Sequence, residues 1–273
     1  MFGGTGWDID TSKSVEALIK EKVFANYTPI HEGITRFTHG NALYHMLLSI
    51  IALGEEHEDA VFKKARVGRD KGEEAMDYLE MKSLLRFASS VEKPLKSADG
   101  MSDRVYFNLP FMRFWFAIVS PYYKGILEGD YAESEKKWQE VQGNFSILWS
   151  NLLVQELIRQ KFADDPMATM GAYYDKKVRI EILAKRKSGK MLAAECKYSQ
   201  KPAKVNMIEL LKQKCQKAEL DVGAFVLFSK NGFSEEMLAL NATDTTLLTN
   251  ENLSTLLDNL SKDDLLNYKN KKY

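Results

Sequence analysis

Two alternating segments joined by a short turn constrain this chain more than anything else in it: residues 178–185 (VRIEILAK) and 190–198 (KMLAAECKY). Side chains alternate faces along a strand. Glu195 and Lys197 therefore share one face, and Cys196 points to the other. The stretch 187–190 (KSGK) reads as a hairpin turn. Pairing across it brings Glu181 level with Glu195, or within about one residue of it. Like charges facing each other across a sheet are unfavourable. A divalent cation between them would reverse that cost.

A chain of 273 residues is long enough for two domains, each with its own core. No apolar run reaches the length of a membrane span, and the N-terminus lacks the charged-then-apolar layout of a signal peptide. Only two cysteines, Cys196 and Cys215, are present, without metal-type spacing. A cytoplasmic setting is expected. The net charge is zero, yet residues 1–143 carry 18 basic and 22 acidic side chains, and residues 144–273 carry 20 and 16. The composition excludes a strongly basic nucleic-acid binder, and it assigns any polyanion to the C-terminal half.

The elements fall into two blocks. Residues 1–40 hold one helix near 14–24 and an irregular stretch, 27–40. Helices are predicted over 41–53, 58–66 and 70–82, the last with Asp70 as N-cap and Glu73 three residues on. Strands at 84–90 and 104–109 flank a polar loop. Three helices and a two-stranded ribbon form the order of a winged helix. The aromatic stretch 111–123 reads as a buried helix packed under the second block, closing a domain at residues 41–127. Residues 128–144 are polar and read as a linker. The second block, 145–273, reads as a helix (145–162), strands at 167–174, 178–185 and 190–198, a helix (204–219), a continuous apolar strand (222–229), a strand at 245–249 and helices near 253–260 and 262–266. The expected class is α/β, a mixed sheet with helices on its faces.

This second block resembles the PD-(D/E)XK restriction-endonuclease-like fold, which runs helix, three antiparallel strands, helix, strand. The signature of that family is an acidic residue on the second strand and (D/E)-x-K on the third, and Glu181, Glu195 and Lys197 match it. A further Glu in the first helix is matched by Glu156. Residues 40–240 also resemble the C-terminal region of the archaeal-type P-loop ATPases, in which a winged helix precedes a nuclease-like domain. That likeness rests on residues 106–116 (YFNLPFMRFWF), 171–174 (GAYY) and 194–198 (AECKY). The P-loop itself is missing: residues 3–6 (GGTG) have no following Lys-Ser/Thr, so no ATPase activity is expected.

What the resemblance implies is a Mg²⁺- or Mn²⁺-dependent phosphodiesterase acting on DNA or RNA. Glu181, Glu195 and Glu156 would hold the metal, and Lys197 would sit by the attacking water or the phosphate. Lys212, Gln213 and Lys214 on the next helix would contact the phosphate backbone, joined by Lys93 and Lys96 in the ribbon loop and Arg69 at the start of the recognition helix. That helix continues with Glu73, Glu74, Asp77 and Glu80, a poor set for reading a major groove. Two alternatives stay open. One is a catalytically silent nuclease-like adaptor, favoured by Glu at position 181 where the family prefers Asp. The other is a winged-helix transcriptional regulator. Homodimerisation and a protein partner for the winged helix are compatible with either. The four histidines lie outside the second block and provide no nucleophile–base set.

Overall fold

A computed structural model describes residues 1–2, 5–92, 103–240 and 242–258. The chain divides into two compact units: Met1–Ser89 with Ser102–Ser146, and Ser90–Met101 with Ile147–Tyr273.

The first unit is helical. Helix α1 (Val15–Leu18) continues through a π turn and a 3-10 turn into α2 (Tyr27–Thr38). The region expected to be irregular is therefore a helix. Pro29 sits in its first turn, where a missing amide costs nothing, and Tyr27, Ile34 and Thr38 are buried. Left-handed His39 ends it. Next come α3 (Ala42–Ala52), α4 (Glu58–Ala65) and α5 (Arg69–Met81), then an antiparallel ribbon of β1 (Leu85–Ala88) and β2 (Arg104–Phe107). The Asn41 side chain caps α3 through the Leu43 amide. Gly68, not Asp70, is the N-cap of α5. Asp70 lies one residue into the first turn, where its negative charge complements the positive end of the helix dipole.

The aromatic stretch forms α6 (Pro110–Phe114), a π turn over Trp115–Val119 and a 3-10 turn. Phe114, Trp115, Phe116 and Ile118 are wholly buried, together with Leu47, Leu48 and Met76. This stretch therefore lies in the core of the first unit. After α7 (Tyr123–Glu128), the 30-residue helix α8 (Ala132–Lys161) runs through residues read as a linker. They are rich in Glu, Lys and Gln, which are good helix formers. Trp138 and Phe145 bury the little apolar surface they have.

The second unit is built on a five-stranded mixed sheet in sequential order: β3 (Met167–Tyr174), β4 (Arg179–Arg186), β5 (Met191–Lys197), β6 (Val222–Ser229) and β7 (Thr245–Thr249). The first three strands form an antiparallel meander. Helix α9 (Asn206–Lys217) then carries the chain to β6, parallel to β5, and α10 (Glu235–Leu238) precedes β7, parallel to β6. Ile208, Leu211 and Cys215 of α9 pack on Leu183, Ala193, Phe225 and Leu227. On the other face Val154, Leu157 and Ile158 of α8, with Leu256 of α11 (Asn250–Asp258), cover Ile182, Ala194, Val226 and Phe228. Strand β6 is apolar on both faces because both are covered. The outer edge of β3 is partly sealed by Ser90 and Val91. The Val91 amide donates to Ala172 O (3.0 Å) and the Tyr174 amide donates to Ser90 Oγ (3.1 Å). No described helix is long and apolar enough to cross a membrane. The helix expected at 262–266 lies outside the described residues.

Candidate active site

The hairpin between β4 and β5 sets the site. Gly189 takes φ +87° and its amide donates to Arg186 O, while the Ser188 amide and hydroxyl donate to the Asp165 carboxylate. This turn fixes the register Lys185↔Met191 through Ile182↔Ala194. Glu181 and Glu195 are the next residues beyond its last pair, Ile182↔Ala194. The ladder does not continue there, because β4 bulges. Opposite β3, Gly171 pairs with Leu183 and Tyr173 with Ile180, so Glu181 and Ile182 together face Ala172. A bulge re-aims side chains. The Glu181 carboxylate takes the Cys196 amide (Oε2, 3.2 Å), a donor that would otherwise serve the strand.

Burial raises the Glu181 carboxyl above its ordinary value, and the charge of Glu195 pushes it the same way. The Cys196 amide lowers it by a smaller amount, as do Arg179 and Lys214 at longer range. Each of these effects follows from favouring or opposing the charged form. Glu195 is held otherwise. Lys214 Nζ donates to both of its oxygens at 2.8 Å, in a pair whose side chains are only 19% and 34% exposed. Lys214 reaches it from the last turn of α9, whose register is set by buried Leu211 and Cys215. Burial and nearby Glu195 raise the Cys215 thiol to about 11. Lys197, two residues beyond Glu195, donates to Pro202 O (3.0 Å) in an exposed contact.

On the α8 side of β5, Tyr198 OH donates to Asn151 Oδ1 (2.6 Å). Burial raises both the Tyr198 hydroxyl and the Cys196 thiol, and Glu181 adds to both shifts. The neutral form is favoured in both groups, and Cys196 packs in the cluster on the α8 face of the sheet. Asn151 and Tyr198 escaped the sequence reading. Their only signal was an amide on the helix face that also carries Val154 and Ile158.

Lys214 is bound to Glu195, and the charges of both act on Glu181, while the Lys197 ammonium is held by Pro202 O. Glu156 lies about 140° around α8 from Asn151 at 100° per residue, and it accepts from Arg159 (3.2 Å). Lys212 is paired with Asp244 (2.7 Å) over the Phe225 ring, and Gln213 is exposed. Arg69, in the first unit, is bound by Glu73 (2.7 Å) and lies 3.7 Å from Asp59. Lys93 and Lys96 lie outside the described residues. Among the described residues no group of three His, Cys, Asp or Glu side chains converges as a metal cage. Two carboxylates with waters are nonetheless an ordinary complement for Mg²⁺. Both Glu195 oxygens are occupied by the Lys214 ammonium.

Residues 115–217 match a family model described as "Archaea bacterial proteins of unknown function". The match begins in the aromatic core of the first unit and ends with α9, so it includes Glu181, Glu195, Lys197 and Lys214. It is consistent with the likeness to the terminal domain of the archaeal-type ATPases. No curated protein and no solved structure matches the chain.

Proposed function

We propose that the second unit is a PD-(D/E)XK-type domain that hydrolyses phosphodiester bonds in nucleic acid, DNA before RNA, with Mg²⁺ or Mn²⁺ as cofactor. The observation that carries this reading is the position of Glu181 and Glu195 just beyond the last pair of the β4–β5 ladder, where the charge of Glu195 acts on Glu181, with Lys197 two residues on. The order of elements supports it: α8, three antiparallel strands, α9 and β6. Glu181 and Glu195 would hold the ion, which when bound neutralises charge on the reacting phosphate and acidifies a water. A cation held there would favour the charged form of Glu181, which burial and the charge of Glu195 disfavour. Lys197 exchanges its exposed bond to Pro202 O for a phosphate oxygen at little cost, because its strand fixes where the ammonium can reach. Glu156 completes the donor set only after leaving Arg159.

The first unit is proposed as a winged helix made of α3, α4, α5 and the β1–β2 ribbon. The acidic surface of α5 suits docking to a protein, or positioning of the second unit, better than base readout. A second reading, a silent nuclease-like adaptor, is favoured by the two bonds from Lys214 to Glu195. Cleavage of mixed DNA and RNA substrates with Mg²⁺ or Mn²⁺ separates the two. Products from wild type that vanish with Glu195→Ala support the enzyme, and intact substrate under all conditions supports the adaptor.

A further inference from the structure

We infer that Lys214 is a built-in competitor for the divalent cation, one that must leave Glu195 before metal can bind and that is drawn off by substrate phosphate. The inference rests on the metal-dependent reading above. Its basis is the Lys214 ammonium, 2.8 Å from each Glu195 oxygen. A cation bound to those oxygens meets a positive charge already in place, and two cations on one half-buried carboxylate repel each other. The arrangement is held by packing: Leu211 and Cys215 anchor α9 on the sheet on either side of Lys214 in sequence. Lys212, its neighbour on the helix, is engaged by Asp244 and leaves Glu195 to Lys214.

A phosphodiester arriving at the site offers Lys214 another anion. The ammonium moves to the phosphate, and Glu195 is released to the metal. Metal and substrate then bind cooperatively, because each removes a cost from the other. The free protein holds metal weakly, which limits adventitious hydrolysis.

The test is Mn²⁺ titration by calorimetry on the full chain, comparing wild type with Lys214→Gln, Lys214→Arg and Lys212→Gln, each checked for folding by circular dichroism. Lys214→Gln is expected to bind Mn²⁺ about tenfold tighter than wild type, the scale of one charge-assisted bond in a partly exposed pair. Lys214→Arg, which keeps the cation on Glu195, and Lys212→Gln are expected to match wild type. A non-cleavable phosphorothioate oligonucleotide should tighten Mn²⁺ binding to wild type but not to Lys214→Gln. Equal or weaker Mn²⁺ binding by Lys214→Gln, with wild type binding measurably, overturns the competitor role and leaves the metal site standing. Absence of Mn²⁺ binding in every variant overturns both.

Discussion

Replacing Gly171 with Ala tests how the outer edge of the sheet is closed. A Cβ at position 171 would lie 2.6 Å from Val91 Cγ2, well inside ordinary van der Waals contact. The Val91 methyl is one bond from a branched carbon and has little room to swing, so the segment carrying it must move. Overpacking of this kind costs about 1–3 kcal/mol. Movement also strains two hydrogen bonds, Val91 N–H to Ala172 O and Tyr174 N–H to Ser90 Oγ, each worth about 1 kcal/mol. A total near 2 kcal/mol is expected, or a fall in Tm of about 4–8 °C for a unit of this size. Urea unfolding of wild type, Gly171→Ala, Val91→Ala and the double variant measures it. Val91→Ala removes the clashing methyl, so the double variant should recover about 1–2 kcal/mol relative to the sum of the single changes. Additivity within about 0.5 kcal/mol would refute the contact, since non-interacting sites add to that precision.

Two further outcomes follow from the site and its support. Glu181 has a folded-state pKa above its ordinary 4.5, so the folded chain binds more protons than the unfolded one above that pH, and wild type loses stability as pH rises through the folded pKa. Glu181→Gln should match wild type below pH 4.5 and become relatively more stable as pH rises, then level off. Parallel pH profiles from thermal melts would contradict it. Leu211→Ala should cost about 2–5 kcal/mol in urea unfolding, because Leu211 is wholly buried between α9 and the sheet; a loss under 1 kcal/mol would mean that α9 is not anchored there.

Much of the second unit was legible because its signals are local. Alternation, the KSGK turn and the apolar run of β6 depend on neighbours in sequence, and strands β3, β6 and β7 begin and end where their patterns do. The turn also places Glu181 and Glu195 at the same end of the β4–β5 ladder, one residue beyond its last pair. The bulge at Glu181 and Ile182 was invisible, because it arises from pairing with β3, whose register no local pattern states. The partner of Glu195 was hidden for a similar reason. Lys214 was singled out as a phosphate contact, yet its seat on Glu195 depends on how Leu211 and Cys215 dock α9. In the first unit, α2 carries Pro29 and Gly33, both weak helix formers, and burial of Tyr27, Ile34 and Thr38 outweighs that propensity. The aromatic stretch 111–123 announced burial correctly, but sequence alone could not say which core it enters.

The account stands on Glu181 and Glu195 acting as one cation site. Calorimetric titration of wild type with Mn²⁺, set beside Glu195→Ala, tests this most directly. One saturable site in wild type, lost in the variant while its circular dichroism spectrum is unchanged, is the predicted result. Binding that persists unchanged in Glu195→Ala, or no binding by wild type even with oligonucleotide present to draw Lys214 away, would contradict it.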